Sequence, residues 1–328
     1  MTRPPVRSFD ELVRRARRTP APRMAVAAAG EAAVLVAAAN AMREGLVRPV
    51  LIGEGKRIRA IAEEHAVDLH GMDIVEAPDT AAACAMAVQL MHEGEAGLVM
   101  KGLVTTKDFV RAILNHEFGL RRDRPLSHVA VIESPDRSRL MLLTDSGINI
   151  RPRFNRKVAI VRNALDVAGA LGIEKPKVAI IAAVETVQLP AMPATIDAEL
   201  LRRMGEAGHF GRCIVDGPLS MDNALDRHTA EVKGRLSPVA GCADVLVAPD
   251  IETANAIYKT VRYLARRELA SIVVGAAGPA VVASRSDSAD TKLYSIALGA
   301  LFAARTSADS PLGAGVPPEA VWTRIEKE

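Results

Sequence analysis

The clearest guide to the fold of this chain is VVASRSDSADTK, residues 281–292, in which a β-branched apolar run ends abruptly in hydroxyl, guanidinium and carboxylate groups. Apolar residues at helical spacing follow it, at Leu293, Ile296, Ala297 and Ala300. The pattern predicts a buried strand tip that leads directly into a helix. A strand end gives Arg285 a rigid base, from which its planar set of donors can bind an oxyanion such as phosphate. Ser284 beside it could orient a second reactant.

A structural role is the alternative for the polar residues after this strand. Ser286 or Asp287 could simply cap the next helix, because short side chains that carry an oxygen are favoured at that position. A cap requires no cation at the end of a strand. The alternative therefore accounts for Asp287 more readily than for Arg285.

Short apolar runs alternate with amphipathic stretches along the chain, which is typical of a mostly parallel sheet covered by helices. Strands are predicted at residues 24–28, 49–52, 73–76, 97–100, 129–132, 139–143, 177–182, 212–215, 244–247 and 271–274. Helices are predicted at residues 31–43, 56–65, 79–92, 106–115, 157–171, 195–207, 225–234, 253–267 and 290–305. The polar, proline-containing segment 149–156 separates two sets of strands and is predicted to be a domain hinge.

Composition argues against several classes of protein. A chain of 328 residues with 49% hydrophobic content is long enough for two packed domains. Its 42 Lys and Arg nearly balance 39 Asp and Glu, and one Trp, three Tyr and six Phe leave few rings to stack on bases. Nucleic acid is therefore not an expected partner. No stretch of about 18 apolar residues is free of charge, so no membrane span is expected.

The cysteines point to a reducing compartment. Cys84, Cys213 and Cys242 are far apart, without the spacing of a metal site or a disulfide framework. The first residues include Arg and Pro and lack the continuous apolar run of a signal peptide. We therefore expect a cytoplasmic protein without a metal site.

A second group of anion-binding candidates follows the fourth predicted strand. Lys101 and Gly102 come directly after it, and Thr105 and Thr106 start the next helix. Free N–H groups at a helix start and a nearby ammonium can bind an anion. Ordinary helix capping is the alternative for the threonine pair. Arg111 lies one turn further along and is a candidate to face the same cleft.

Polar groups also follow other predicted strands. Asp145 and Asn149 stand in a turn next to the hinge and are candidate substrate-binding residues, although an Asp-Ser-Gly turn also explains them structurally. Residues 215–224 and 248–255 put carboxylates and amides just past two later strands, where open α/β sheets bind ligands. The glycine-rich dinucleotide motif, the P-loop and the nucleophile elbow are absent from the sequence.

Four segments in this order resemble the phosphate acetyltransferase and phosphate butyryltransferase family, most closely its butyryltransferase branch. They are MKG with the threonine pair at 100–106, DGPLS at 216–220, ADVLV followed by PD at 243–250, and SRSDS at 284–288. Each segment alone is a weak match, and their order makes the resemblance specific, over about residues 20 to 305. The resemblance implies two three-layer α/β/α domains with mostly parallel sheets and a cleft between them.

The resemblance also implies how the domains share the chain. Residues 1–150 together with 286–328 would form the first, discontinuous domain, and residues 151–285 would form an inserted second domain. A homodimer or larger homo-oligomer would be the assembly. The expected reaction is acyl-CoA plus phosphate giving acyl phosphate plus coenzyme A, with a short acyl chain, acetyl or butyryl. Coenzyme A and phosphate would be substrates, and no bound cofactor is expected.

The residue types near the strand tip suit that reaction. Arg285 is expected to hold the phosphate, since a bidentate guanidinium supplies both orientation and charge. Ser284 would steady the thiol or thiolate. The resemblance implies direct transfer in a ternary complex, without an acyl-serine intermediate or a metal. The acetyltransferase branch carries an aspartate seven residues after the serine, where this chain has Thr291. Asp290 is the predicted base, and Asp287 is the alternative.

Two other functions remain open at this point. An NAD- and metal-dependent hydroxy-acid dehydrogenase of related fold would need converging carboxylates, for which Asp216, Asp222, Asp244 and Asp250 are available. A non-catalytic protein that binds coenzyme A or phosphate would keep the clefts and lack a working base. Thr291 is the residue that keeps this second alternative open.

Overall fold

The computed structural model describes residues 4–284 and 286–309, and only the backbone for residues 307–309. Arg285, the predicted phosphate-binding residue, lies outside the described residues. The described part is an α/β protein with one large sheet, mostly parallel, and helices on both faces. The predicted α/β class is confirmed.

Every strand predicted from the sequence is present, with ends shifted by up to four residues. The strands are β1 Arg23–Ala27, β2 Arg48–Gly53, β3 Asp73–Glu76, β4 Leu98–Lys101, β5 Ser127–Glu133, β6 Leu140–Thr144, β7 Lys177–Ile181, β8 Ile214–Leu219, β9 Val245–Val247, β10 Ala270–Val274 and β11 Ala280–Val281. The last of these is the strand tip at the start of the 281–292 stretch. The alternation of apolar runs therefore located the sheet correctly.

The helices follow the predicted positions with three differences. They are α1 Phe9–Ala16, α2 Ala32–Arg43, α3 Gly55–Glu64, α4 Thr80–His92, α5 Thr106–Ile113, α6 Phe154–Ala170, α7 Ala194–Glu206, α8 Met221–Leu225, α9 Arg227–Val232, α10 Ile251–Lys259 and α11 Ala289–Asp309. α1 has no counterpart among the predicted helices. The helix predicted at 225–234 is broken at Asp226, whose extended backbone ends α8 and whose side chain caps α9. A π-helical turn, Thr260–Leu264, extends α10.

The strand order is β3-β2-β1-β4-β11-β10-β5-β6-β9-β7-β8. Most neighbouring pairs are parallel, but β11 with β10, β10 with β5 and β5 with β6 are antiparallel. The short connection between β5 and β6 permits only an antiparallel hairpin, since a parallel crossover needs a dozen or more residues. The parallel strands β3, β2, β1, β4 and β11 therefore run in the opposite direction to the parallel strands β6, β9, β7 and β8.

The sheet is continuous from end to end rather than divided into one sheet for each predicted domain. β11 and β10 stand between β4 and β5 and join them through backbone hydrogen bonds. The division into residues 1–150 with 286–328 and residues 151–285 stays a prediction. The strand order reverses between β1 and β4, because β1 leads outward to β2 and β3 on one side and meets β4 on the other. Open α/β sheets bind ligands at such a switch point.

Helix α11 returns the end of the chain to this point. It packs against α1, α2 and β10. Its first turns therefore lie next to the start of α2, and the loop between β11 and α11 lies next to the end of β4.

Candidate functional site

Three chain segments meet at the switch point. β4 pairs in parallel with β1 on one side and with β11 on the other, so the carboxyl ends of all three strands lie at one edge of the sheet. The residues just beyond them enclose a small cavity together with the start of α2 and the first turn of α11. We call it the Ser284 cavity, and its lining residues are Glu31, Val34, Met100, Lys101, Gly102, Ala283, Ser284 and Lys292. The structure thus brings Lys101 and Gly102, from one predicted group of site residues, to Ser284, from another.

Gly102 allows the end of β4 to approach the end of β1. Its N–H donates to the carbonyl of Ala27 at 2.8 Å, and a Cβ at this position would lie 2.3 Å from the carbonyl oxygen of Ala28. No larger residue fits without moving the backbone. The same approach holds Lys101 at the cavity wall, where its Nζ donates to the carbonyls of Gly102 at 3.2 Å and Val104 at 3.1 Å.

Ser284 lies in a turn that hydrogen bonds with Asp287 stabilise. Its N–H donates to Oδ2 of Asp287 at 2.7 Å, and its carbonyl accepts from the N–H of Asp287 at 3.1 Å. Its Oγ lies 3.1 Å from Oγ of Ser286. Nζ of Lys292 donates to the carbonyl of Asp287 and supports the same turn from α11. Asp287 therefore positions Ser284 and is not a free carboxylate.

The helix after this turn is capped by Ser288. Its Oγ accepts the N–H of Thr291 at 3.0 Å, so neither Ser286 nor Asp287 is the cap, and that structural alternative is wrong. Thr291 is buried, and its Oγ1 donates to Oε2 of Glu268 at 2.6 Å. Position 291 thus faces Glu268 and does not line the Ser284 cavity.

Asp290, the predicted base, is exposed on the first turn of α11 and does not line the Ser284 cavity either. Its role stays a prediction. The carboxylate that does line the cavity is Glu31, at the start of α2.

Thr105 stands just before α5, and Thr106 and Arg111 lie on it, all three outside the Ser284 cavity. Thr105 is the helix cap: its Oγ1 accepts the N–H of Asp108 at 3.1 Å and donates to Oδ2 of the same residue at 2.7 Å. The capping alternative therefore describes Thr105 correctly. Thr106 is exposed, and the side chain of Arg111 is 71% exposed, with Nη1 3.5 Å from Oδ1 of Asp108.

Asp145 and Asn149 lie at the opposite edge of the sheet. Three antiparallel pairings separate β6 from β11, so the strands point in opposite directions. The Asp145 carboxylate accepts the backbone N–H groups of His128, Gly147, Ile148 and Asn149 and the side-chain amide of Asn149. These bonds hold the loop after β6. The structure does not bring this pair to Ser284, and their substrate-binding role stays a prediction.

Burial lowers the pKa of two basic side chains, Lys292 on α11 and His128 on β5. It lowers the pKa of Lys292 below its ordinary value of 10.5, although Asp287 and Glu31 act in the opposite direction. Burial likewise lowers the pKa of His128, whose Nδ1 lies 2.8 Å from Oγ of Ser146. Both groups therefore have a weakened preference for the charged form.

Sequence reasoning missed Glu31 and Lys292. The spacing of residues on α11 could have identified Lys292. Ser295 and Gly299 follow it at three and seven residues, so all three share one helix face. Ser295 and Gly299 pack against β10 and β4. Glu31 has no signal of its own, because only the pairing of β1 with β4 brings it to the cavity.

Within residues 4–284 and 286–309, no three His, Cys, Asp or Glu side chains are grouped so that they could hold a metal ion. In the same part of the chain no helix has the length and apolar character to cross a membrane.

The sequence matches a family profile described as phosphate acetyl/butaryl transferase over residues 8–85 and 80–300. The phosphate butyryltransferase of Clostridium acetobutylicum is 42% identical over 298 residues, covering 91% of this chain and 99% of that protein. The chain belongs to this family. It is a phosphate acyltransferase, and the resemblance noted in its sequence is confirmed.

Solved structures agree with this assignment. A branched-chain phosphotransacylase from Enterococcus faecalis superposes with a TM-score of 0.75 and 29% identity, covering 86% of this acyltransferase and 98% of that chain. A 4-hydroxythreonine-4-phosphate dehydrogenase from Klebsiella pneumoniae has a TM-score of 0.53 and 12% identity over 86% of this chain and 99% of its own. That second likeness extends to the fold alone and does not favour the dehydrogenase alternative.

Proposed function

We propose that this acyltransferase moves a short acyl group between the sulfur of coenzyme A and inorganic phosphate at the Ser284 cavity. A phosphate oxygen attacks the thioester carbonyl, the carbon–sulfur bond breaks, and acyl phosphate and coenzyme A leave. The observation that supports this site is the meeting of Lys101, Gly102 and Ser284 at the switch point of the sheet.

The charged and hydroxyl groups have distinct proposed roles. Arg285 follows Ser284 directly in sequence and binds phosphate through its guanidinium. Lys101 carries a positive charge at the cavity wall, where it stabilises the oxyanion that forms when phosphate attacks. Ser284 donates a hydrogen bond to the departing sulfur or accepts one from the thiol in the reverse reaction.

The base of the reverse reaction must remove a proton from the thiol of coenzyme A. Asp290 is the candidate from the sequence, and Glu31 is the carboxylate that lines the cavity. A carboxylate acts as base only within hydrogen-bond reach of the proton, directly or through one water, which favours Glu31 in this geometry.

A second cavity favours a short acyl chain as the substrate's acyl group. Its volume is about 180 Å³. Small or apolar residues form one part of its wall, among them Ala28, Ala77, Pro78, Ala83 and Leu103, and Glu54, Arg57, Asp79 and Thr80 form a polar part. It adjoins the Ser284 cavity, because Gly30 and Leu103 line it while their chain neighbours Glu31 and Gly102 line the other. Pockets for drug-sized ligands begin near 300 Å³, so this acyl cavity suits a chain of few carbons.

The rest of the proposal concerns the substrates, the assembly and the cellular location of the enzyme. Coenzyme A and phosphate are its substrates, with no bound cofactor. Thr105, Thr106, Arg111, Asp145 and Asn149 are candidate substrate-binding residues. A homodimer or larger homo-oligomer and a cytoplasmic location complete it. Light scattering on the purified protein measures the assembly, and cell fractionation measures the location.

The test is a thiol-release assay. Purified protein is mixed with acetyl-, propionyl-, butyryl- or hexanoyl-CoA and phosphate, with and without a chelator, and a colour reagent reports free thiol. Phosphate-dependent release that a chelator leaves unchanged is expected. Release without phosphate, or none with any of the thioesters, contradicts the proposal. NAD with a hydroxy acid serves as the control for dehydrogenase activity.

A further inference from the structure

Lys292 is a buried cation for which the described residues supply no carboxylate partner. It is 4% exposed, and its Nζ donates to a neutral acceptor, the carbonyl of Asp287. No Asp or Glu of the described residues forms an ion pair with it, within 4.0 Å. Lys292 is one of the residues that line the Ser284 cavity.

An unpaired buried ammonium is costly, because it loses water without gaining a counter-charge. The charged groups around it do not remove that cost. Asp287 and Glu31 favour the protonated form, Arg262 opposes it, and burial outweighs them. Lys101, on the facing strand, adds a second positive charge to the same cavity. With two lysines and one glutamate in its wall, the lining of this small cavity carries a formal excess of positive charge.

A lysine with a purely structural role looks different in this protein. Lys157 is 6% exposed, and its Nζ donates to Oδ2 of Asp197 at 2.8 Å. Each charge of that pair compensates the other within the fold. If Lys292 served only to support the turn at Asp287, an uncharged donor would suffice.

We propose that Lys292 binds the oxygens of inorganic phosphate, and of the phosphoryl group of acyl phosphate, in the Ser284 cavity. An ammonium has three donors, of which the Asp287 carbonyl takes one, so two remain for phosphate oxygens. Binding of the anion supplies the missing counter-charge. Because Lys292 also holds the turn that carries Ser284, the phosphate and the serine are aligned by one side chain. This inference rests on the proposed function of the cavity.

The test compares Lys292→Met, Lys292→Gln and Lys292→Arg with the matched control Lys157→Met. We expect Lys292→Met and Lys292→Gln to raise the KM for phosphate at least tenfold and to change the KM for acyl-CoA less than twofold. Lys292→Arg retains the charge and restores most of the affinity. Lys157→Met leaves the KM for phosphate within twofold. An unchanged KM for phosphate in both uncharged variants overturns the proposal.

The pH dependence of activity distinguishes the charge of Lys292 from its hydrogen bond to the Asp287 turn. The wild-type kcat/KM for phosphate should fall at alkaline pH, with a midpoint below 10.5, as Lys292 loses its proton. Lys292→Arg should move that fall to higher pH, since arginine stays protonated. A profile that is identical in the two proteins contradicts a charged role for Lys292.

Calorimetry with inorganic phosphate alone keeps this inference distinct from the proposed function. The wild type and Lys292→Arg should bind phosphate, and Lys292→Met and Lys292→Gln should bind it at least tenfold more weakly. This result is expected even if no thioester reacts, in which case the proposed reaction fails and the phosphate site stands. Equal binding by all four proteins overturns the site whatever the activity.

Discussion

The backbone N–H of Ser284 donates to the carboxylate of Asp287 at 2.7 Å, so the residue that orients the proposed reaction centre is held by a neighbour three positions along the chain. The same carboxylate is 9% exposed and has no bond to the cap of α11. Asp287 is a positioning residue.

Asp287→Ala should therefore lower kcat about tenfold, because a hydrogen bond to a charged group contributes about 1.5–3 kcal/mol to holding the turn. Asp287→Asn keeps an oxygen acceptor and should lose less. Steady-state kinetics and thermal unfolding of both variants measure the effect. Equal activity in the wild type and Asp287→Ala would show that the turn is held by other bonds.

Ser284→Ala should lower kcat with little change in either KM, since the hydroxyl acts on the sulfur during transfer. Mass spectrometry under turnover should find no acyl-enzyme in the wild type. Arg285→Ala should raise the KM for phosphate and lower kcat. A trapped acyl-serine, or unchanged kinetics in both variants, removes these assignments.

Glu31→Gln and Asp290→Asn distinguish the two candidate bases. In the direction from acyl phosphate, loss of the base should lower kcat about a hundredfold, in the range usual for a general base. We expect the large effect in Glu31→Gln, because Glu31 lines the Ser284 cavity and Asp290 is exposed outside it. The opposite ranking would return the role to Asp290.

Leu103→Phe should shorten the acyl chain that the enzyme accepts, because the larger ring fills part of the 180 Å³ acyl cavity. The ratio of kcat/KM for butyryl-CoA to that for acetyl-CoA should fall about tenfold, in line with the value of one or two methylenes in an apolar pocket. Leu200→Phe is the control, because Leu200 is exposed on α7, and it should leave the ratio unchanged. A ratio that does not move places the acyl chain elsewhere.

His128 should make stability depend on pH. Its pKa is lowered by burial, so below the ordinary value of 6.5 the unfolded chain binds a proton that the folded chain does not. The free energy of unfolding should fall as pH drops below 6.5, by at most about 1.4 kcal/mol per pH unit for one proton. Urea unfolding from pH 8 to 5 measures this slope, and His128→Gln should make it shallower. Parallel slopes would mean that another group carries the dependence.

The local pattern of apolar residues predicts where strands and helices lie along the chain. It does not predict which strands pair. The apolar runs at 24–28 and 97–100 predict strands because burial in a parallel sheet requires continuous hydrophobic segments. The same runs carry no information about pairing. The antiparallel insertion of β10 between β11 and β5 depends on contacts between segments more than 100 residues apart.

The candidate site shows the same division. The sequence predicts Lys101, Gly102 and Ser284 as site residues because polar residues after apolar strands are visible in it. The resemblance favours Asp290 because it stands one residue before position 291, where the acetyltransferase branch carries its aspartate. Helical geometry, however, turns Lys292 toward the cavity and leaves Asp290 exposed. A change of two positions on a helix rotates a side chain by more than half a turn.

The amino-acid sequence alone was enough to establish an α/β protein, the strand tip before Ser284 and membership of an acyltransferase family, because hydrophobic periodicity and ordered motifs are local properties of the chain. Folding in three dimensions was needed to bring Glu31, Lys101, Ser284 and Lys292 to one cavity and to keep Asp145 at the far edge of the sheet. Strand pairing and helix packing act between distant segments, and only they determine which charged residues line the same cavity.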